Sequence, residues 1–219
     1  MYVQSIFKSL KEGDHGVEAM FEAFSEAAEE ILRGIMEAMR GLDLSQVGGM
    51  LEALLIARSE RRKIIVVGAG RSGLVGKAFA MRLMHLGFNI YVMGETITPA
   101  VEEGDLVVVI SGSGSTTIPI TAAKMAKSLG AKVLAVTSHP TSPLGMIADL
   151  VVKVPGREMM VREDEYYSRQ LIGDHEPLAP MGTMFEDSCM VFLDSIIAEL
   201  MARMGMSEEA MKGKHATIE

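Results

Sequence analysis

Residues 64–92 read IIVVGAGRSGLVGKAFAMRLMHLGFNIYV. Four aliphatic residues, Ile64 to Val67, run into the glycines at 68, 70 and 73, and a second β-branched run begins at Ile90. A short, continuous apolar run bounded by glycine reads as a strand buried on both faces. The stretch SGLVGKAFAMRLMHLG that follows has helical spacing. Strand, tight turn, helix and strand make one βαβ unit, the building block of a parallel sheet.

Working outward, the same rhythm continues. DLVVVIS (105–111) predicts a third strand, TAAKMAKSLG (121–130) a helix, AKVLAVTS (131–138) a fourth strand and ADLVVKVP (148–155) a fifth. The expected fold is α/β: a five-stranded parallel sheet, doubly wound and flavodoxin-like, with ligands at the carboxyl ends of the strands. Before it, residues 15–60 predict two helices, VEAMFEAFSEAAEEILRGIMEAM and LSQVGGMLEALLIARSERR, the second weakened by Gly48 and Gly49. The expected division is an N-terminal helical arm over 1–60, packing on the core or on partner subunits, and a single α/β domain over 61–219. Residues 156–182 are charged and end in Pro177 and Pro180, which predicts a long functional or interfacial loop. A helix from about Met184 to Met204 follows.

The chain has 219 residues, 48% of them hydrophobic, with 19 methionines and no tryptophan, so its core is aliphatic and soft. A net charge of −8 argues against general nucleic-acid or anionic-membrane binding. Cys189, the single cysteine, excludes an internal disulfide and lies in an apolar pattern that predicts an inert buried thiol. The first residues lack a basic region followed by an apolar one, which predicts no cleaved leader. No run reaches the ~18 apolar residues that a membrane-spanning helix needs. The expectation is a soluble, cytoplasmic protein.

Three motifs carry chemistry. GAGRSG (68–73), with Glu95 beyond the second strand, matches a dinucleotide fingerprint. It also reads as a plain strand-to-helix turn, in which Arg71 and Ser72 suit a small anion at a helix N-terminus. SGSGSTT (111–117) places five hydroxyls, on Ser111, Ser113, Ser115, Thr116 and Thr117, among Gly112 and Gly114. Helix capping needs one hydroxyl; five, with free backbone N–H groups, suit a phosphate. No Gly-Lys-Ser/Thr follows, so it is not a P-loop. Third, Thr183 and Glu186 have the spacing of a capping box, and Glu186 also reads as a carboxylate base beside a proline-bounded loop. The histidines at 15, 85, 139, 175 and 215 make no metal-ligand spacing, so no metal is expected. His85, near a helix end, predicts a partly buried or dipole-paired role.

IIVVGAGRSG, AFAMRLMHLGFNIYVMGETITPA, LVVVISGSGST, PMGTMFEDSCMVFLD and the closing KHATIE resemble the 6-phospho-3-hexuloisomerase family of the sugar isomerase (SIS) domain superfamily. The likeness covers roughly residues 60–219. It implies interconversion of D-arabino-hex-3-ulose 6-phosphate and fructose 6-phosphate, as in the ribulose monophosphate pathway and formaldehyde fixation, without metal or nucleotide cofactor. It also implies a homotetramer. By this resemblance Glu186 is the catalytic base and His215 a second acid/base. Arg71, Ser72 and the 111–117 loop hold the sugar phosphate. Alternatives on the same fold are an isomerase of arabinose 5-phosphate or sedoheptulose 7-phosphate, and a non-catalytic sugar-phosphate sensor. The fingerprint leaves an NAD-dependent oxidoreductase as a further alternative.

Overall fold

The computed structural model describes residues 21–156, 182–207 and 209 of the chain. Two helices, α1 (Glu22–Arg40) and α2 (Leu44–Ser59), precede β1 (Ile64–Gly68), α3 (Gly70–His85) and β2 (Ile90–Val92). Then come β3 (Leu106–Ile110), α4 (Thr117–Ser128), β4 (Lys132–Thr137), the short α5 (Pro143–Ile147), β5 (Leu150–Lys153) and the long α6 (Thr183–Met204). All neighbouring strands pair in parallel, in the order β2-β1-β3-β4-β5. This is the flavodoxin-like order, whose winding reverses between β1 and β3. The expected fold class and strands are all present.

Strand residues alternate between two apolar layers, which is why each strand reads as a continuous hydrophobic run. Ile64, Val66, Val108, Ile110 and Val136 face one cluster with α2, α3 and α6, centred on Leu54, Phe79, Leu83, Phe192 and Leu193. Ile65, Val67, Val107, Val109 and Ala135 face the other, with Ala123 and Ala126 of α4 and Leu144 of α5. Small residues on α4 let that helix lie close to the sheet. On the first face, α1 lies over α6. A Cβ on Gly34 would sit 2.0 Å from Met184 Cε, so this glycine admits the methionine between the helices.

The amino ends of the strands are laced by aspartates. Asp105, 2% exposed, accepts from the Lys63 N–H (2.9 Å) and the Glu102 N–H (2.8 Å) and pairs with Lys63 Nζ at 3.3 Å. Asp149 accepts from the Val133 N–H (2.8 Å) and Lys127 Nζ (2.5 Å). Backbone donors and a cation are what make a buried carboxylate tolerable. These ties close the amino edge and leave the carboxyl edge, with its loops, for a ligand. His85, 3% exposed, ends α3 as expected, and Cys189 is fully buried.

Helix α2 starts at Leu44 as expected, with Asp43 as its cap, accepting from the Ser45 N–H at 2.8 Å; other helix starts differ. Helix α4 begins at Thr117 rather than Thr121, because Pro119 falls in its first turn, where a missing N–H costs nothing. Helix α6 starts from Gly182, at φ +94°, without a side-chain cap. The Thr183–Glu186 capping box is therefore absent: Thr183 is already helical, and Glu186 lies one residue too deep to return the bond.

Truncating Phe192, 1% exposed in the larger cluster, leaves a cavity under the sheet. Phe192→Ala is expected to lower the free energy of unfolding by about 3–5 kcal/mol, measured by urea denaturation. A loss below about 1 kcal/mol would contradict this packing.

Candidate active site

The register pairs Gly68 with Ile110, so the loops that leave β1 and β3 emerge side by side at the point where the winding reverses. A Cβ on Gly68 would lie 2.8 Å from the Ser72 carbonyl oxygen, and one on Gly73 would lie 2.9 Å from the Gly68 carbonyl oxygen. The glycines thus serve a close strand-to-helix approach. Beside them opens a cavity of about 420 Å³. Its lining comprises Ala69, Gly70 and Ser72 of the first loop and Ile110 to Ser113, Thr116 and Pro119 of the second. Ser138 and His139 beyond β4, and Gly182, Phe185 and Glu186 at the start of α6, complete it.

The hydroxyl-rich loop divides its labour. Gly114, at φ +61°, closes a turn in which its N–H donates to Ser111 O (3.1 Å) while its own carbonyl accepts from the Leu144 N–H (3.0 Å). A Cβ at that position would fall 1.9 Å from Ser142 Oγ. The Ser115 N–H donates to Ser113 Oγ at 3.2 Å. Ser111, Gly112, Ser113 and Thr116 reach the cavity, whereas Gly114, Ser115 and Thr117 do not line it. Thr117 lines a separate apolar groove that includes Ile65, Val67 and Met125. Among the described residues, the N–H groups of Gly112, Ser113 and Thr116 have no protein acceptor. They stand at the N-terminus of α4, where amide donors and the helix dipole favour an anion.

Glu186 lies in the first turn of α6 with a side chain only 13% exposed. Its Oε2 would lie 3.0 Å from a Cβ on Gly182, so that glycine lets the carboxylate fold back over the helix start. Arg71 Nε donates to Glu186 Oε2 at 2.8 Å, and Arg71 Nη2 donates to Asp187 Oδ1 at 3.2 Å. Arg71 is therefore brought to Glu186 and stands at the rim rather than in the lining; Ser72 is in it. Because the arginine side chain is 57% exposed, the pair contributes about 0–1 kcal/mol to stability. Its consequence is orientation: it holds the carboxylate over the start of α6. Burial pushes the Cys189 thiol well above the ordinary range, and the nearby Glu186 carboxylate adds to this, which makes the thiol inert.

Glu95 pairs with Lys77 at 2.6 Å and does not line the cavity. Among the described residues, no three His, Cys, Asp or Glu side chains gather as a metal-binding group, and no helix is long and apolar enough to cross a membrane. His215 and residues 157–181 lie outside the described residues. Sequence reasoning missed Ser138, His139 and Phe185. The one available signal was the position of Ser138 and His139 at the carboxyl end of a central strand, where this fold binds ligands.

The SIS domain family matches residues 58–160. An uncharacterised protein of Aeropyrum pernix is 55% identical over 91% of this chain and 92% of its own length. The 3-hexulose-6-phosphate isomerase of Bacillus subtilis is 43% identical over 72% of this chain and 80% of its own. A crystal structure of a Methanococcus jannaschii protein, for which a 3-hexulose-6-phosphate isomerase function was inferred, superposes with a TM-score of 0.69. It is 32% identical and covers 90% of this chain and 99% of that one.

Replacing Gly114 forces a side chain into left-handed backbone and against Ser142. Gly114→Ala is expected to destabilise the protein by about 1–3 kcal/mol in urea unfolding. Parent-like stability would mean that this turn is not held as described.

Proposed function

This chain belongs to the 3-hexulose-6-phosphate isomerase family of SIS-domain proteins, and we propose that it interconverts D-arabino-hex-3-ulose 6-phosphate and fructose 6-phosphate. It is a sugar-phosphate isomerase by that membership. The observation that carries the finer reading is one cavity that joins a hydroxyl- and amide-rich turn to a single carboxylate, Glu186.

The phosphate sits against Ser111, Ser113, Thr116 and the free amides at the N-terminus of α4, with Ser72 opposite. Gly114 and Ser115 hold the turn in shape. This anchor leaves the carbonyl end of the sugar toward α6. Glu186 takes the proton from C2 of the open-chain 3-ketose, and the electron pair moves onto the C3 oxygen to give an enediolate. A proton passes from the C2 oxygen to the C3 oxygen, and Glu186 returns its proton to C3. C2 is oxidised to the carbonyl while C3 is reduced to the alcohol, so the reaction balances within one molecule. Arg71 holds the Glu186 carboxylate in place between turnovers. His215 assists opening of the cyclic sugar, from its own or a neighbouring subunit of the proposed homotetramer.

Incubating the protein with fructose 6-phosphate in deuterated water tests this reading. NMR is expected to show a 3-ketose phosphate and deuterium at C3 of recovered fructose 6-phosphate. The absence of both signals would sink the proposal. Glu186→Gln keeps the shape and removes the base, so turnover should fall by about 10²–10⁴-fold while a phosphate ester still raises the melting temperature. Normal turnover in that variant would exclude Glu186 as the base.

A further inference from the structure

A carboxylate that shuttles the carbon proton leaves a second proton unassigned, the one that must leave the C2 oxygen and reach the C3 oxygen. The carboxyl end of β4 holds a group suited to it. Thr137 is followed by Ser138 and His139, and both of the latter line the same cavity as Glu186.

The His139 ring is fixed by its neighbours. Gly112 O accepts from the Ser138 N–H (3.1 Å) and from Thr137 Oγ1 (3.1 Å), and His139 Nδ1 stands 3.0 Å from the same oxygen. The His139 N–H donates in turn to Thr137 Oγ1 at 3.2 Å. A carbonyl oxygen can only accept, so a bare Nδ1 lone pair facing it would be repelled. Nδ1 therefore carries a proton, and in the neutral form of the ring the lone pair is on Nε2. This is the logic by which a bond at one ring nitrogen sets the chemistry of the other. Thr137 Oγ1, which accepts from the His139 N–H, donates to Gly112 O, so the imidazole and the phosphate-side loop keep one geometry.

Beside it, Ser138 Oγ is buried and has no hydrogen-bond partner among the described residues. A Cβ on Gly156 would approach that oxygen to 2.6 Å, so a glycine there leaves room for the hydroxyl. A buried hydroxyl without a partner is costly unless a ligand satisfies it. Here it lies in the wall of the cavity where a polyhydroxylated substrate would sit.

We propose that His139 Nε2 is the acid–base group that moves the hydroxyl proton between the C2 and C3 oxygens of the enediolate, with Ser138 Oγ holding the adjacent sugar oxygen. The assignment rests on the isomerase reading above. Nε2 accepts the proton from the C2 oxygen and returns one to the C3 oxygen, so the ring ends neutral, as it began. Glu186 handles the protons on carbon and His139 those on oxygen. The two duties are separable by experiment.

His139→Asn is the informative variant, because its amide N–H can still donate to Gly112 O while nothing replaces Nε2. Wild type and variant are compared with fructose 6-phosphate in deuterated water, with deuterium at C3 and conversion to the 3-ketose followed together. Loss of the relay should lower conversion by about 10²-fold or more while exchange at C3 continues and KM stays within about twofold. His139→Gln serves as a second variant lacking the Nδ1 contact, and should lower conversion as well. If conversion by His139→Asn stays within threefold of wild type, or exchange and conversion fall in equal measure, the relay is overturned. If wild type shows neither exchange nor conversion, the isomerase reading fails and the relay fails with it.

Discussion

The backbone of Gly112 is where the parts of the site are held together. Its carbonyl takes the Ser138 amide, the Thr137 hydroxyl and His139 Nδ1, which locks the loop after β3 to the end of β4. On its other side, a Cβ would lie 2.8 Å from the Phe185 ring, so only a glycine lets α6 come in over the loop. Phe185 adjoins Glu186, and the carboxylate therefore reaches the cavity because Gly112 has no side chain. Loop, strand end and the start of α6 share one contact.

That contact works because the sheet beneath it is rigid. The three central strands, β1, β3 and β4, bury both faces, and the interior of β3, Leu106 to Ile110, is no more than 4% exposed. Such a strand has no tolerance for slipping, since a shift of one residue would exchange the two apolar layers. The aspartates at the amino edge, Asp105 and Asp149, fix strand ends there by bonds to backbone amides. Loops at the opposite edge are then free to differ in shape without loss of the core. The polar groups of the cavity stand on an apolar frame.

The strands were legible because burial on both faces leaves an unmistakable pattern, β-branched and unbroken. The hydroxyl-rich loop stood out for a similar reason, since capping alone does not explain five hydroxyls, and four of its residues line the cavity. The spacing of Thr183 and Glu186 misled. It is compatible with a capping box, but Gly182 takes the helix start and the carboxylate turns to Arg71. Arg71 was expected to face the phosphate, and its guanidinium instead lies on Glu186 and Asp187. Local spacing could not reveal this, because the partners are more than a hundred residues apart.

Sequence alone determined the α/β class, the strand sequence, the place of the hydroxyl-rich turn and the inert burial of Cys189. Each of these depends on hydropathy and local conformation, which neighbouring residues set. Tertiary structure decided which hydroxyls reach the cavity, which residue starts α6, where Arg71 points, and that His139 and Ser138 join the site. These depend on how the ends of β1, β3 and β4 and the start of α6 meet in space. An imidazole in VTSHP has no visible partner along the chain; it acquires one only when parallel pairing of β3 and β4 brings the Gly112 carbonyl to its Nδ1.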